Sequence, residues 1–273
     1  MSILMVQTLP GRQFKALFIP LLFLVVSCGG GGGGATLRVF AASSLTGAFN
    51  DMARAFEIEN PEAEVELDFG GSQRLRFQLE FGAKADVFAS ADSIQMDLLV
   101  AADLVSGTPA NFASNALVVI AMAEGSVREI SDLAQPGVRV VLGQETVPVG
   151  AYSRQLLENL SGDASLGLGD GFKDDVLENL VSGEPNVGFA FQKVALGEVD
   201  AGLVYETDMA AALEMGIRDV FFITIPVAAN VSARYTIAVI KDASEPELAQ
   251  AFVRFVLSEA GQRILDAHGF GSP

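Results

Sequence analysis

The stretch VFAASSLTGAF, residues 39–49, begins as an apolar β-strand and ends as the first turn of a helix, with Ser43 and Ser44 at the join. Ser44 directly precedes the amphipathic run LTGAFNDMARAF, an N-cap position, where a hydroxyl ordinarily satisfies an orphan N–H of the first helical turn. The same step from strand to helix recurs along the chain. LRVFAA leads to a helix over residues 45–59, then EVELDF, a helix over 73–81, DVFAS and a helix over 93–102. After NALVVIAM (115–122) the alternation restarts with VRVVLG (138–143), a helix over 150–160 and AGLVYET (201–207). Alternation of this kind predicts an α/β fold of two lobes, each a mostly parallel sheet with helices on both faces. RYTIAVI (234–240) is followed by helices over 246–257 and 262–268 but by no strand, so the chain end is expected to return to the first lobe. Two crossings between lobes make a hinge. The Gly-rich GDASLGLGDGF (162–172) reads as a surface loop.

The chain has 273 residues, half of them hydrophobic, enough for one large domain or two modest lobes with real cores. Lys and Arg number 17 against 34 Asp and Glu, a formal charge of −17 that repels nucleic acid and anionic membrane surfaces. A single Cys and a single His remove disulfide frameworks, Cys/His zinc sites and most histidine-based catalysis.

Residues 12–28, RQFKALFIPLLFLVVSC, place Arg12 and Lys15 ahead of an apolar run that ends at Ser27 and Cys28. That is an export signal, short for a permanent membrane span. Val25-Val26-Ser27-Cys28 resembles a bacterial lipobox, which implies cleavage of residues 1–27 and lipidation of Cys28. The glycines that follow, Gly29 to Gly34, make residues 28–35 a flexible tether. The expected working protein is extracytoplasmic, anchored through lipid alone, and more acidic still after Arg12 and Lys15 are lost.

Two further helix starts repeat the theme of the first. DFGGSQRLRFQLEFG passes from a strand through Gly70 and Gly71 to Ser72, again at a cap position, and TVPVGAY (146–152) opens a helix of the second lobe through a Pro/Gly turn. All three lie beyond the carboxyl ends of strands, where open α/β sheets bind ligands. Helix N-termini carry partial positive charge and spare donors, so a cluster of them suits an anion. A strongly acidic protein gains no long-range steering of an anion, so such a site must act at contact range through neutral donors. By spacing alone, ordinary capping by Ser44 and Ser72 remains an equal alternative.

VFAASSLTGAF, GGSQRLRFQLEFGAKADVFASAD, NALVVIA, VPVGAYSRQLLENL and AGLVYETD, in this order, resemble the periplasmic molybdate-binding proteins of ABC importers over essentially the whole mature chain. The resemblance implies a two-lobed periplasmic-binding-protein fold of type II, with residues 36–115 and 230–273 as one lobe, 116–229 as the other, and a ligand cleft between them. It implies a monomer that holds molybdate or tungstate by hydroxyls and main-chain N–H groups, without a salt bridge, cofactor or metal cation, and delivers it to a membrane permease. Matched position by position, the ligand residues are Ser44, Ser72, Val149, Val187 and Tyr205. Ser43 is a neighbour of the site, and Val149 stands where relatives commonly carry Ala.

A site made only of donors suits a fully deprotonated tetrahedral dianion. Hydrogen phosphate would bring an O–H with nowhere to donate, a penalty of about 1–3 kcal/mol in a buried site. Sulfate shares charge and shape with molybdate, so a sulfate-binding protein is the first alternative. An enzyme with Ser44 or Ser72 as nucleophile is the second, and it lacks a G-x-S-x-G elbow and a nearby general base. Ferric iron would call for clustered Tyr, His or carboxylate ligands, and the chain has 3 Tyr. On pattern alone Tyr205 is a core aromatic at a strand end, Asp208 caps a helix, Asp86 and Asp92 hold loops beside the cleft, and His268 lies on the surface.

Overall fold

The computed structural model describes residues 34–273. The expected leader (1–27), Cys28 and most of the glycine tether fall outside the described residues. Ten strands among the described residues form two sheets. The first comprises β1 (Ala35–Ala42), β2 (Ala63–Gly70), β3 (Val87–Ser90), β4 (Val105–Asn115) and, from the far end of the chain, β10 (Ala233–Ile240). The second comprises β5 (Leu117–Met122), β6 (Val140–Gly143), β7 (Leu180–Glu184), β8 (Ala201–Tyr205) and β9 (Val220–Thr224).

Strand orders are β2-β1-β3-β10-β4 and β7-β6-β8-β5-β9. In the first sheet β10 is antiparallel to both its neighbours, and in the second β5 is. The remaining strands of each sheet share one direction. Both sheets are therefore mixed and mostly parallel, with the same order of directions.

Strand β1 shows why the apolar run VFAA needs two covered faces. Val39 and Ala41 point into the main core with Val87 and Ala89 of β3, while Phe40 points the other way with Phe88, Leu75 and Met96. With both faces covered, period-2 alternation of side chains leaves every residue of the run VFAA buried. The first face is covered by α1 (Thr46–Glu59), which supplies Phe49, Met52 and Phe56. The second is covered by α2 (Ser72–Glu80) and α3 (Ser93–Ala101). In the other half, α4 (Pro148–Gly162), α5 (Phe172–Glu178), α6 (Val187–Ala195) and α7 (Glu206–Glu214) flank the second sheet. Gly143 and Gly150 bring β6 and α4 together, since a Cβ on Gly150 would stand 2.4 Å from the Gly143 carbonyl oxygen.

The chain end does return to the first sheet. α8 (Pro246–Leu257) and α9 (Glu259–Ala267) follow β10, and Phe252 of α8 packs edge-on against Phe49 and Phe56 of α1. The chain crosses between the sheets at Ala116 and again over 225–232. Asn230, on the second crossing, accepts the N–H of Leu117 (3.2 Å) and donates to its carbonyl (2.9 Å), which ties the two crossings together.

Several elements escape sequence reading. β4 contains Gly107 and Pro109, and its register against β10 shifts twice, so neither composition nor alternation marks it as a strand. β7 and α5 are short and weakly patterned, and β9 and α6 also go unplaced although VFFIT (220–224) is an apolar run and VGFAFQKVA (187–195) is amphipathic. The Gly-rich segment is a surface loop up to Gly171, with one 3-10 turn at Ala164–Leu166, and Phe172 is buried as the first residue of α5.

Candidate functional site

One cavity lies where the carboxyl ends of the two sheets face each other. Ser44 enters from the turn after β1, Gly70, Gly71 and Ser72 from the β2–α2 junction, and Ala91 from the end of β3. Val147, Pro148 and Val149 enter from the start of α4, Asn186 and Val187 from the start of α6, and Tyr205 from the end of β8. All five residues nominated by sequence, Ser44, Ser72, Val149, Val187 and Tyr205, line this single cavity, with Ser43 as their neighbour. None of the residues lining it carries a charge.

The two serines are not helix caps, and this corrects the reading from spacing. Ser44 is the middle residue of a single 3-10 turn, Ser43–Leu45, which delays the α-helix until Thr46 and gives its N-cap to Leu45. Ser72 is the first residue of α2, whose N-cap is Gly71. Displaced from the cap, both hydroxyls bond elsewhere: Ser44 Oγ lies 2.8 Å from Tyr235 Oη, and Ser72 Oγ accepts the Ala91 N–H at 3.1 Å. As an acceptor from the main chain, Ser72 keeps its own proton for the cavity.

The starts of α4 and α6 present main-chain groups to the cavity. Val149 is the second residue of α4, after Pro148 at N1, and Val187 is the first of α6. First-turn N–H groups have no partner inside their own helix. Asn186 caps α6 through its side chain, which accepts from the Phe189 N–H at 3.1 Å. The branched side chain of Val149 fits because β6 ends in Gly143, where a Cβ would meet Val149 Cγ1 at 2.7 Å.

Tyr205 closes β8 with 1% of its surface exposed, and its hydroxyl has no hydrogen-bond partner among the described residues. A buried hydroxyl without a partner is costly. Burial pushes its phenol well above the usual tyrosine value, so the group keeps its proton and can donate.

Carboxylates surround the site without entering it. Asp92 caps α3, accepting the Gln95 N–H at 2.8 Å, and burial raises its pKa. Asp86, in contrast, lies at the opposite end of β3 from the cavity, where it accepts the N–H groups of Arg38, Ser244 and Glu245. Its expected place beside the cleft is thus wrong. His268 is half-buried rather than a free surface residue, with Nε2 2.8 Å from Asp51 Oδ2.

Asp208 sits in the first turn of α7, where its carboxylate accepts the Tyr205 N–H at 2.9 Å. Burial of the carboxyl pushes its pKa from 3.8 up to about 7. The folded state therefore retains a proton that the unfolded chain releases. Stability from this group is fully present below about pH 4 and is lost as pH rises to about 7. Asp208→Asn keeps the acceptor and removes the titration. It is expected to flatten the loss of stability across that window by roughly 1–3 kcal/mol, less than the whole shift because the residue keeps some solvent contact. Urea unfolding at several pH values checks this, and an unaltered pH dependence in the variant would contradict it.

The two halves touch beside the cavity. Gln73 Nε2 donates across to the Pro185 carbonyl at 2.9 Å, and a Cβ on Gly71 would stand 2.3 Å from that same oxygen. Sequence reading missed this contact, Asn186 and Tyr235. Tyr235 sits in the alternating strand RYTIAVI and is indistinguishable there from a core aromatic. Among the described residues no group of three or more His, Cys, Asp or Glu could hold a metal ion, and no helix is long and apolar enough to cross a membrane.

Two mixed sheets of matching topology, joined by two crossings and enclosing one uncharged cavity, define the type II periplasmic-binding-protein class. The solved periplasmic molybdate-binding protein of Azotobacter vinelandii superimposes with a TM-score of 0.71 at 23% identity, covering 87% of this chain and 99% of that one. The sulfate-binding protein SubI of Mycobacterium tuberculosis gives 0.76 at 17%, covering 86% of each chain. The sequence model for bacterial extracellular solute-binding proteins matches residues 37–271. The molybdate-binding protein ModA of Mycobacterium tuberculosis is 42% identical over 237 residues, 86% of this chain and 84% of its own. ModA of Escherichia coli is 29% identical over 243 residues, 86% and 88% of the two chains. The chain belongs to the family of bacterial extracellular solute-binding proteins, whose members bind solutes rather than transform them.

Proposed function

We propose that the protein captures molybdate, or tungstate, outside the cytoplasm and delivers it to the permease of an ABC importer. In this reading residues 36–115 with 230–273 form one lobe and 116–229 the other, and they close on the ion. The hydroxyls of Ser44, Ser72 and Tyr205 and the main-chain N–H groups of Val149 and Val187 replace its water. The observation that carries this is the buried Tyr205 hydroxyl, without a partner among the described residues, in a cavity whose lining is uncharged. A dianion satisfies that donor, and charge-assisted hydrogen bonds of this kind are roughly twice as strong as neutral ones. Molybdate is favoured over sulfate because the relatives at 42% and 29% identity are molybdate-binding, whereas the sulfate-binding neighbour shares the fold at 17%.

Calorimetry of the purified protein against molybdate, tungstate, sulfate and hydrogen phosphate tests the assignment. Tight binding of the first two is expected, with sulfate and hydrogen phosphate binding more weakly, and sulfate binding equally well would overturn it. Binding should not weaken as ionic strength rises, since no ion pair holds the ligand and salt screens the negative charge of the protein. The lipid on Cys28 would keep the protein at a membrane surface. Cys28→Ser should therefore move it from the membrane fraction to the soluble one, and an unchanged distribution would remove the anchor from the proposal.

A further inference from the structure

A hydroxyl has one proton, and a serine that spends it inside the protein offers an anion only lone pairs. Ser44 faces this choice, because its Oγ lies 2.8 Å from Tyr235 Oη and either atom can donate. The neighbours of Tyr235 decide it. Asn115, the last residue of β4, accepts the Ala116 N–H through Oδ1 at 3.0 Å, which turns its amino group inward. That group donates to Thr207 Oγ1 at 2.9 Å and to Tyr235 Oη at 3.4 Å. An amino group cannot accept, so among these neighbours the Tyr235 hydroxyl has only Ser44 to donate to. Tyr235 itself has no solvent exposure, and its ring is held edge-on by Phe112, Tyr205 and Phe270.

We infer that Asn115 and Tyr235 are positioning residues that polarise a hydrogen-bond chain, Asn115 to Tyr235 to Ser44, so that the Ser44 proton is left for an oxyanion in the cavity. The inference rests on the proposed oxyanion function and extends it. Discrimination against protonated oxyanions is set by residues that do not touch the ligand. The chain also starts at the first crossing between lobes, and through Thr207 it reaches α7 of the other half.

Asn115→Asp tests the polarity with almost no change of shape. The new carboxylate accepts the Tyr235 proton, Ser44 must then donate to Tyr235, and the cavity receives a lone pair instead. Molybdate and sulfate are expected to lose about a hundredfold in affinity, as after loss of a charged hydrogen bond. Hydrogen phosphate, a dianion of equal charge, can give its own proton to Ser44, so it should lose at least about tenfold less than sulfate. General repulsion by the new charge would weaken sulfate and hydrogen phosphate alike. In a Tyr235→Phe background, which keeps the aromatic packing, this difference should disappear. Tyr235→Phe alone, measured even if Asn115→Asp does not fold, should weaken molybdate about fivefold to tenfold without altering the melting temperature by more than a few degrees.

Unchanged affinity in Tyr235→Phe overturns the inference, as does parallel loss of sulfate and hydrogen phosphate in Asn115→Asp. A parent protein that binds no tetrahedral dianion would instead overturn the functional reading, and the inference with it.

Discussion

Tyr205→Phe is expected to weaken molybdate binding about tenfold to a hundredfold while leaving the ligand-free protein as stable as before, or more so. The two effects have opposite causes in one atom. In the folded protein the Tyr205 hydroxyl is buried without a partner among the described residues, so its removal relieves a desolvation penalty of about 1–3 kcal/mol. In the complex the same hydroxyl donates to a dianion, a bond worth about 1.5–3 kcal/mol. The ring, packed edge-on against Tyr235, stays in place. Thermal unfolding without ligand and calorimetry with molybdate separate the two. A variant that loses stability while keeping full affinity would show that the hydroxyl serves the fold and not the ligand.

Gly71→Ala is expected to lower affinity by roughly a hundredfold through closure rather than through contact with the ion. Gly71 has φ −62° and ψ 133°, a conformation open to any residue, so alanine brings no backbone strain. Its Cβ would nevertheless stand 2.3 Å from the Pro185 carbonyl oxygen and 2.6 Å from Gln73 Oε1. Pro185 follows β7 of the second sheet and Gly71 follows β2 of the first, so the clash falls between the halves and is relieved when they part. A ligand that binds the closed form must then supply the difference, and overpacking typically costs about 1–3 kcal/mol. The ligand-free protein should melt at nearly the parent temperature, helped by the smaller backbone entropy of the unfolded chain. Small-angle scattering with saturating molybdate should show less compaction than in the parent. Parent-like affinity would mean that the Gly71–Pro185 approach plays no part in capture.

The order of strands and helices was legible in the chain because burial on both faces of a parallel sheet forces continuous apolar runs such as VFAA, and an amphipathic partner must follow each. The amphipathic runs over 45–59 and 246–257 match α1 and α8 within a residue for the same reason. The short edge strand β7 and the Pro-containing β4 carry no such pattern, since little of their surface meets a core.

Of the site, the sequence by itself, through its resemblance to the molybdate-binding proteins, nominated Ser44, Ser72, Val149, Val187 and Tyr205, and the fold brings these five to one cavity. What each hydroxyl does was decided only by tertiary structure. A serine before a helix can cap it or turn away, and the two choices differ by little free energy locally. The outcome depends on groups far along the chain: Ala91 for Ser72, and Tyr235, 191 residues distant, for Ser44. Hydrogen-bond direction passes through space from donor to acceptor, so local spacing could not reveal it.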